Sequence, residues 1–438
     1  MKIEELLKRV MSMPGVEELN DMQREMSVDS NSRVMLTAPT GSGKTIAFAI
    51  RLLRSIDSNV VGLQGIVLAP TRELVLQIAG VIKQISGGVR TVAVYGGHDM
   101  RDEINELAVE PTLIVATPGR LVDHINRRTV YVSAARNLVL DEFDKCLQLG
   151  FQEDMGKIVR RLRKLKLVVL TSATSGTEWP DFVGEKSAYR RYDYEGGAGV
   201  VSVAPELVAV KSPSRDKLDT LVELLRGMDN GKVIVFVNHR ESAERVFERL
   251  MREGVPSVLY HGALDQQQRR MAVERLANGS APVMVSTDLA SRGLDIPAIE
   301  SVVHYHQPID RETWTHRNGR TARQGARGTV YAIMSEGEKL PEGETADREL
   351  QDLTPSVSPI EATMVTLYIN AGKKEKISKG DVAGYVMQKG GLTREEVGRI
   401  MVDDHYSLVA VVATKARNVV SKLSPHKLKN TRVRVSVV

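Results

Sequence analysis

Six runs in the first half of the chain are almost continuously apolar and β-branched: VMLTAP near 34, GIVLAP near 65, TVAVYGG at 91, TLIVATPG at 112, NLVLDE at 137 and LKLVVLTSAT at 165. Stretches of helical spacing separate them. A strand with no polar side has both faces covered, so the pattern predicts βαβ units and a parallel sheet. After the glycine-rich EGGAGV at 195–200 the rhythm restarts with PELVAVKS, KVIVFVN, PSVLYHG, APVMVSTD, ESVVHYHQ and GTVYAIMS. Two consecutive α/β domains follow, over 1–197 and 203–340. A polar stretch at 335–359 reads as flexible connection, with the linker itself assigned to 341–360. The remaining residues, 361–438, alternate strand, helix, strand, strand, helix, strand, a βαββαβ order. Side chains of a strand alternate faces, so the closing TRVRVSVV is expected to bury Val433, Val435 and Val437 and to present Arg432 and Arg434 together on the other side. The fold class is therefore α/β: two tandem parallel-sheet domains followed by a small βαββαβ domain.

Composition narrows this picture. With 438 residues, 42% hydrophobic and 26% charged, the chain matches ordinary globular usage, which argues against wholesale disorder and against rods. No apolar run approaches the ~18–20 residues of a membrane span, and MKIEELLKRVMS has no apolar signal core, so a cytoplasmic protein without membrane contact is expected. The single cysteine, Cys146, excludes an intrachain disulfide and a cysteine-rich zinc site and fits a reducing compartment; no disulfide-linked partner is expected. Charge is distributed unevenly. Of 60 Lys+Arg and 55 Asp+Glu, residues 361–438 hold 14 and 7, leaving 46 and 48 for the rest; the tail carries +7 and residues 1–360 carry −2. A polyanion partner for the tail is the direct implication.

Candidate chemistry begins at Ala38-Pro39-Thr40-Gly41-Ser42-Gly43-Lys44-Thr45, between an apolar run and the helical TIAFAIRLLRSI. This is the context of a phosphate-binding loop: glycines let backbone N–H groups turn onto phosphate oxygens, Lys44 reaches the outer phosphates, and the Thr45 hydroxyl can ligate Mg²⁺. Ala38 stands where the pattern normally begins with glycine. A second acidic site follows the strand NLVL as Asp141-Glu142-Phe143-Asp144. There an aspartate can hold Mg²⁺ and the next carboxylate can orient or deprotonate the attacking water.

The phosphate loop, DEFD, Ser172-Ala173-Thr174 and His316-Arg317-Asn318-Gly319-Arg320-Thr321-Ala322-Arg323 occur in the order seen in DEAD-box RNA helicases, and the chain resembles that family over almost its whole length. Pro70-Thr71-Arg72-Glu73-Leu74, Gly96-Gly97, Thr117-Pro118-Gly119-Arg120, His261-Gly262 with Gln266 and Arg269, and Thr287-Asp288 running to Asp295 match further motifs. The resemblance implies two RecA-like domains that close on ATP, Mg²⁺ and single-stranded RNA, and an RNA-dependent ATPase. By the same resemblance Gln23 reads adenine, although Leu19, Asn20 and Asp21 replace the family's Pro-Thr-Pro. Asp141 binds Mg²⁺, Glu142 activates water, and Asp144 couples to Ser172 and Thr174; His316 belongs with this coupling set. Arg320 and Arg323 resemble arginine fingers, and Asp295 lies near the ribose. Phe143 fills a place where the family usually has a small residue, and Asn318 and Ala322 replace the usual Ile and Gly.

RNA contacts are implied for Thr71, Arg72, Gly97, Thr117, Gly119 and Arg120 in the first domain and for Thr287 and Asp288 in the second. Hydroxyls, amides and guanidinium groups of this kind hold phosphate and sugar without reading bases. The tail resembles an RNA-recognition domain, and TLYINAGKKEKISKGDV with TRVRVSVV is similar to the C-terminal domain of the DbpA subfamily, which implies large-subunit ribosomal RNA or pre-ribosomal particles as partner. SLVAVVA carries no stacking aromatic, and on the first strand only Tyr368 remains. Recognition is therefore expected to rest on Lys373, Lys374, Lys376, Lys427, Lys429, Arg432 and Arg434. The reading is an ATP-dependent RNA helicase, expected to be a monomer, that opens short duplexes locally. An RNA clamp with weak unwinding and a DNA helicase on the same domain pair are the competing readings.

Overall fold

A computed structural model describes residues 3–39, 41–97, 99–173, 179–194, 204–228, 231–291, 299–322, 327–351, 353 and 361–438. Four candidate site residues, Thr40, Thr174, Asp295 and Arg323, lie outside the described residues. The chain forms two compact units that divide near residue 203.

The apolar runs of the first unit become β1 (Arg33–Thr37), β2 (Gly65–Leu68), β3 (Thr91–Val94), β4 (Leu113–Ala116), β5 (Asn137–Leu140) and β6 (Leu167–Ser172), with β7 (Arg190–Asp193) at one edge. All pair in parallel, in the order β3-β4-β2-β5-β6-β1-β7. Alternation sends Val67 and Val169 to one face and Ile66, Leu68 and Val168 to the other. Helices α1 (Ile3–Met11), α2 (Asp21–Val28), α3 (Lys44–Arg54) and α4 (Arg72–Ile85) pack on the first face. The second is covered by α5 (Met100–Ala108), α6 (Pro118–Asn126), α7 (Phe143–Gln148) and α8 (Gln152–Val159). Burial on both faces explains why these strands read as continuous hydrophobic runs.

The second unit opens with another all-parallel sheet, β8 (Glu206–Lys211), β9 (Val233–Phe236), β10 (Ser257–Tyr260), β11 (Val283–Ser286), β12 (Ser301–His304), β13 (Thr329–Met334) and β14 (Arg348–Leu350). Its order is β10-β11-β9-β12-β13-β8-β14. The polar stretch read as a linker from 341 thus contributes an edge strand: β14 lies beside β8, with Glu349 opposite Ala209. Its Arg348 and Glu349 are exposed, so β14 lacks the apolar run that marks its neighbours. Helices α9 (Leu218–Gly227), α10 (Arg240–Arg252), α11 (Gln266–Ala277) and α12 (Arg311–Asn318) accompany this sheet.

The tail folds as β15 (Met364–Ile369), α13 (Lys379–Gly384), β16 (Val397–Val402), β17 (Ser407–Val412), α14 (Ala416–Leu423), a small hairpin of β18 (Lys427–Leu428) with β19 (Thr431–Arg432), and β20 (Val435–Val437). Its sheet is antiparallel, ordered β16-β17-β15-β20. The expected final strand is thus divided. Arg432 pairs with Lys427 in the hairpin, and β20 starts only at Val435. Val433 and Val435 are buried as expected, but Val437 is half exposed because it sits beyond the core on an edge strand.

One face of the tail sheet packs Leu367, Ile369, Val409 and Val411 onto its helices. The opposite face carries Thr366, Leu408 and Ala410, all buried. Residues from α11 and the loop after it lie against this side. Thr366 Oγ1 accepts from Asn278 Nδ2 at 2.9 Å and is 2.7 Å from Ser280 Oγ. Arg399 donates twice to the buried Glu274, at 2.7 and 3.0 Å, and Arg270 pairs with Asp403. Much of the sheet face that an RNA-recognition domain normally offers to bases is covered here by the parallel-sheet domain before it.

Candidate nucleotide-binding and RNA-binding sites

Every candidate loop of the first domain leaves the carboxyl end of a strand, where parallel sheets gather ligand-binding groups. The strand order divides them. Phosphate loop, DEFD and Ser172-Ala173 follow β1, β5 and β6, which are neighbours; Thr71-Arg72, Gly97 and Thr117 to Arg120 follow β2, β3 and β4, on the other half.

At the phosphate loop Gly41 and Gly43 have φ of 82° and 89°, conformations that side chains rarely adopt. Gly43 caps α3 without any side-chain hydrogen bond, so the amides of the first turn are presented to the loop. A Cβ at Gly43 would sit 2.4 Å from Gln23 Nε2. That contact places Gln23 beside the loop. Its side chain is held by a capping box at the start of α2: Asn20 Oδ1 accepts from Gln23 N, and Gln23 Oε1 accepts from Asn20 N. Asn20 Nδ2 also donates to Ser42 O at 2.9 Å. The asparagine that departs from the family's pattern thus ties α2 to the phosphate loop.

Lys44 Nζ donates to Pro39 O at 2.9 Å and also contacts Ala38 O. Thr45 lies in the first turn of α3, and the buried Ser42 Oγ has no hydrogen-bond partner among the described residues. An uncapped helix start, an ammonium and buried or half-buried hydroxyls form a donor set that fits the phosphates and Mg²⁺ of a nucleotide.

Asp141 is buried at the end of β5, and burial raises its carboxyl above the usual range against the opposing effects of the Thr171 hydrogen bond and the Lys44 charge. Thr171 Oγ1 donates to Asp141 Oδ1 at 2.5 Å and accepts from Glu142 N at 3.1 Å. This threonine, absent from the predicted site, was legible only as a polar residue inside the apolar run LVVLTS. Glu142 has φ 45° at the cap of α7. Asp144 accepts from Ala173 N at 3.3 Å, which brings DEFD to the Ser172-Ala173 segment. Phe143 is fully buried, edge-on to Trp179 and Phe182, with both ring centroids at 6.4 Å. The large residue in DEFD is therefore part of an aromatic cluster beneath α7.

On the other half of the edge, Thr71 caps α4 by accepting from Leu74 N, and Arg72 Nη1 donates to Gly97 O at 3.2 Å. The Arg72 guanidinium lies 4.5 Å over the Tyr95 ring. Gly97 has φ 80°, and a Cβ there would approach Arg72 Nη1 to 3.0 Å. Thr117 caps α6 with no side-chain hydrogen bond, followed by Pro118 and Gly119 in the first turn.

In the second domain Thr287 follows β11 and Asp288 opens a short 3₁₀ turn. The Asp288 carboxylate is engaged by the fully buried Arg317, whose Nε donates at 2.6 Å. Arg317 also donates to His306 O and Asn238 Oδ1, both at 2.8 Å, and lies 5.3 Å over Phe236. Asn318 is 2.8 Å from His304 Nε2. Burial first, then the Arg317 charge, pushes that histidine down to about 3, so it is a neutral ring needing a polar partner. The unusual asparagine supplies one. His316 and Arg320 are buried, with His316 Nδ1 3.7 Å from Glu312.

In the tail, Lys373, Lys374, Lys376, Lys427, Lys429, Arg432 and Arg434 are all exposed. Hydrogen bonds unite their two loops: Asn370 N donates to Arg434 O, Arg434 N donates to Asn370 Oδ1, and Lys429 Nζ donates to Lys376 O. Lys429 also pairs with Asp381 at 2.8 Å, chiefly through which that carboxyl falls to about 2.

Three family models match in sequence: DEAD/DEAH box helicase over 20–182, helicase conserved C-terminal domain over 216–325 and DbpA RNA binding domain over 366–437. The ATP-dependent RNA helicase DbpA of Escherichia coli is 34% identical over 418 residues, covering 92% of this chain and 91% of its own. Among solved structures, S. cerevisiae Dbp5 bound to RNA and ADP BeF3 matches with TM-score 0.66 and 27% identity over 76% of this chain and 87% of that one. Mss116 bound to ssRNA and UDP-BeF gives 0.64 and 25%, over 76% and 73%. With its parallel-sheet pair, antiparallel tail and matched relatives, the chain belongs to the DEAD-box ATP-dependent RNA helicases and carries the DbpA-type RNA-binding domain.

Proposed function

We propose that this helicase opens or remodels short RNA duplexes during large ribosomal subunit assembly, with the tail directing it to a ribosomal RNA hairpin. The observation that carries the reading is the basic end of the tail: seven exposed Lys and Arg side chains on two mutually hydrogen-bonded loops, in a region of net +7. Such a surface attracts a folded polyanion at long range, while the covered sheet face leaves little room for base stacking.

In the motor, the amides of Gly41 to Lys44 and the Lys44 ammonium receive the ATP phosphates, and Gln23 faces the adenine. Thr45 and Asp141 would hold Mg²⁺, which when bound neutralises charge developing on the transferred phosphoryl group. Asp141 must be ionised for this. The Lys44 charge and the Thr171 hydroxyl work toward that state against burial. Glu142, one residue on, orients and deprotonates the attacking water. Arg320 and Arg323 supply guanidinium charge to the transition state. Asp144 transmits the state of this site to Ser172 and Thr174 through the Ala173 amide. Thr71, Arg72, Gly97, Thr117, Gly119 and Arg120, with Thr287, hold the RNA backbone; Asp288 acts through its hold on Arg317.

The test compares ATPase stimulation by a large-subunit ribosomal RNA fragment, generic single-stranded RNA and DNA, using the full chain and one ending near residue 355. Preference for the ribosomal fragment that vanishes on truncation supports the reading, as does hydrolysis abolished by Glu142→Gln. Equal stimulation by DNA would sink it, and an RNA-binding protein whose hydrolysis survives Glu142→Gln would be a clamp with a different chemistry.

A further inference from the structure

We propose that Glu103 is the positioning residue of the first domain's RNA path, holding three of its loops in register without touching RNA itself. The inference rests on the assignment of Arg72, Gly97 and Arg120 to that path.

Helix α5 is largely solvent-facing and buries only Glu103 and Leu107. An i, i+4 pair on a core-facing stripe calls for two apolar residues, yet one of these is a carboxylate with a fully buried side chain. Its oxygens are fully used. Oε1 accepts from Tyr95 N at 3.0 Å, and Oε2 accepts from Arg120 Nε at 2.7 Å and lies 2.8 Å from His124 Nε2. The partners belong to two different parts of the candidate path. Tyr95 directly precedes Gly96-Gly97 and lies under the Arg72 guanidinium, which in turn donates to Gly97 O. Arg120 and His124 are one helical turn apart on α6, the helix whose start carries Thr117 and Gly119. One carboxylate therefore ties the loops after β3 and β4 directly, and the loop after β2 through the Tyr95 ring.

Stability alone does not require this arrangement. A buried ion pair replaced by well-packed apolar side chains is often neutral or stabilising, whereas directional bonds from a single anion fix the orientation of every donor. Burial pulls the Glu103 carboxyl upward, but the bonds from His124, Tyr95 and Arg120 outweigh it and hold the group below its ordinary value. The anion is thus present under working conditions. Arg120, its side chain mostly buried against Glu103, cannot choose among rotamers before RNA arrives. Contacts of this kind cost little ordering on binding.

The test uses the full chain and measures ATPase against concentration of a single-stranded oligouridine, together with the KM for ATP and thermal melting. Glu103→Ala is expected to raise the half-saturating RNA concentration about tenfold, with KM for ATP and the rate at saturating RNA within about twofold. Arg120→Ala is expected to do the same, and the double variant to be no worse than Arg120→Ala alone. Glu103→Gln keeps the shape and part of the acceptor set, so it is expected to give a smaller shift, about threefold, and it keeps the question open to measurement if the alanine variant does not fold. If Arg120→Ala weakens RNA dependence while neither Glu103 variant does, the positioning role is wrong and the path assignment stands. If Arg120→Ala changes nothing, the path assignment itself is wrong and the inference goes with it. Equal losses toward ATP and RNA in Glu103→Gln would mark a purely structural group and overturn the proposal.

Discussion

The carboxyl edge of the first sheet and the basic end of the tail, both proposed above to hold polyanions, are built in opposite ways. At the sheet edge, charge is scarce and placed: Asp141 is buried, its carboxyl raised by that burial, and it is held by one threonine and one lysine. At the tail end, charge is plentiful and wet. Lys429 and its partner Asp381 both keep solvent contact, and the bond from Lys429 is the chief cause that lowers the Asp381 carboxyl to about 2. The two constructions suit two kinds of recognition. Fixed amides, hydroxyls and single charges in a packed edge discriminate geometry, whereas a cluster of hydrated cations gives long-range attraction that salt screens. The tail has gone further in this direction by giving its sheet face to Glu274, Asn278 and Ser280 of the preceding domain.

The largest effect that would sharpen this contrast comes from the packing beneath the edge. Phe143→Ala removes a fully buried ring from the Trp179 and Phe182 cluster and is expected to destabilise the first domain by roughly 3–5 kcal/mol in denaturant melts, leaving RNA binding by the tail unchanged. Next is the buried carboxylate. Because the folded state raises the Asp141 pKa above its unfolded value, its contribution is most favourable below the unfolded pKa and is lost as pH rises through the folded one. Asp141→Asn is therefore expected to melt higher than the natural chain at neutral pH, to lose that advantage in acid, and to lose ATPase activity altogether. A melting difference independent of pH would show that burial of charge is not what distinguishes this edge. The smallest effect belongs to the tail. Replacing Arg432 and Arg434 with alanine is expected to weaken binding to a structured ribosomal hairpin and to reduce the slope of log affinity against log salt by roughly 0.7–0.9 per lost phosphate contact. An unchanged slope would remove the screened-charge account of the tail.

Much of this molecule was legible in linear order because its chemistry follows its strands. Ala38, Thr71, Gly97, Thr117 and Asp141 all come directly or within a few residues after an apolar run, so a reading of runs and the residues beyond them locates the edge of the sheet. What escaped that reading has a common cause. Asn20, Thr171, Glu103 and Arg317 each reach a partner far along the chain, 22, 30, 21 and 79 residues away at the farthest, distances over which no local pattern reports. The strand at Arg348–Leu350 was missed because an edge strand buries too little to need an apolar run. The split at the chain's end was missed because alternating Arg and Val satisfy one strand or two equally well.

By itself the sequence determined the class of fold, the family and the order of the functional loops, since hydrophobic period and motif spacing are local properties that survive any arrangement of the elements. Which residues became partners followed from packing alone: that Phe143 completes an aromatic cluster, that Asn318 answers a buried histidine, that Asp288 pairs with Arg317, and that Thr366 on the tail's sheet face meets Asn278 and Ser280. These outcomes depend on burial, which makes an unpaired polar group costly and so selects its partner from whatever the packed fold brings within hydrogen-bonding distance.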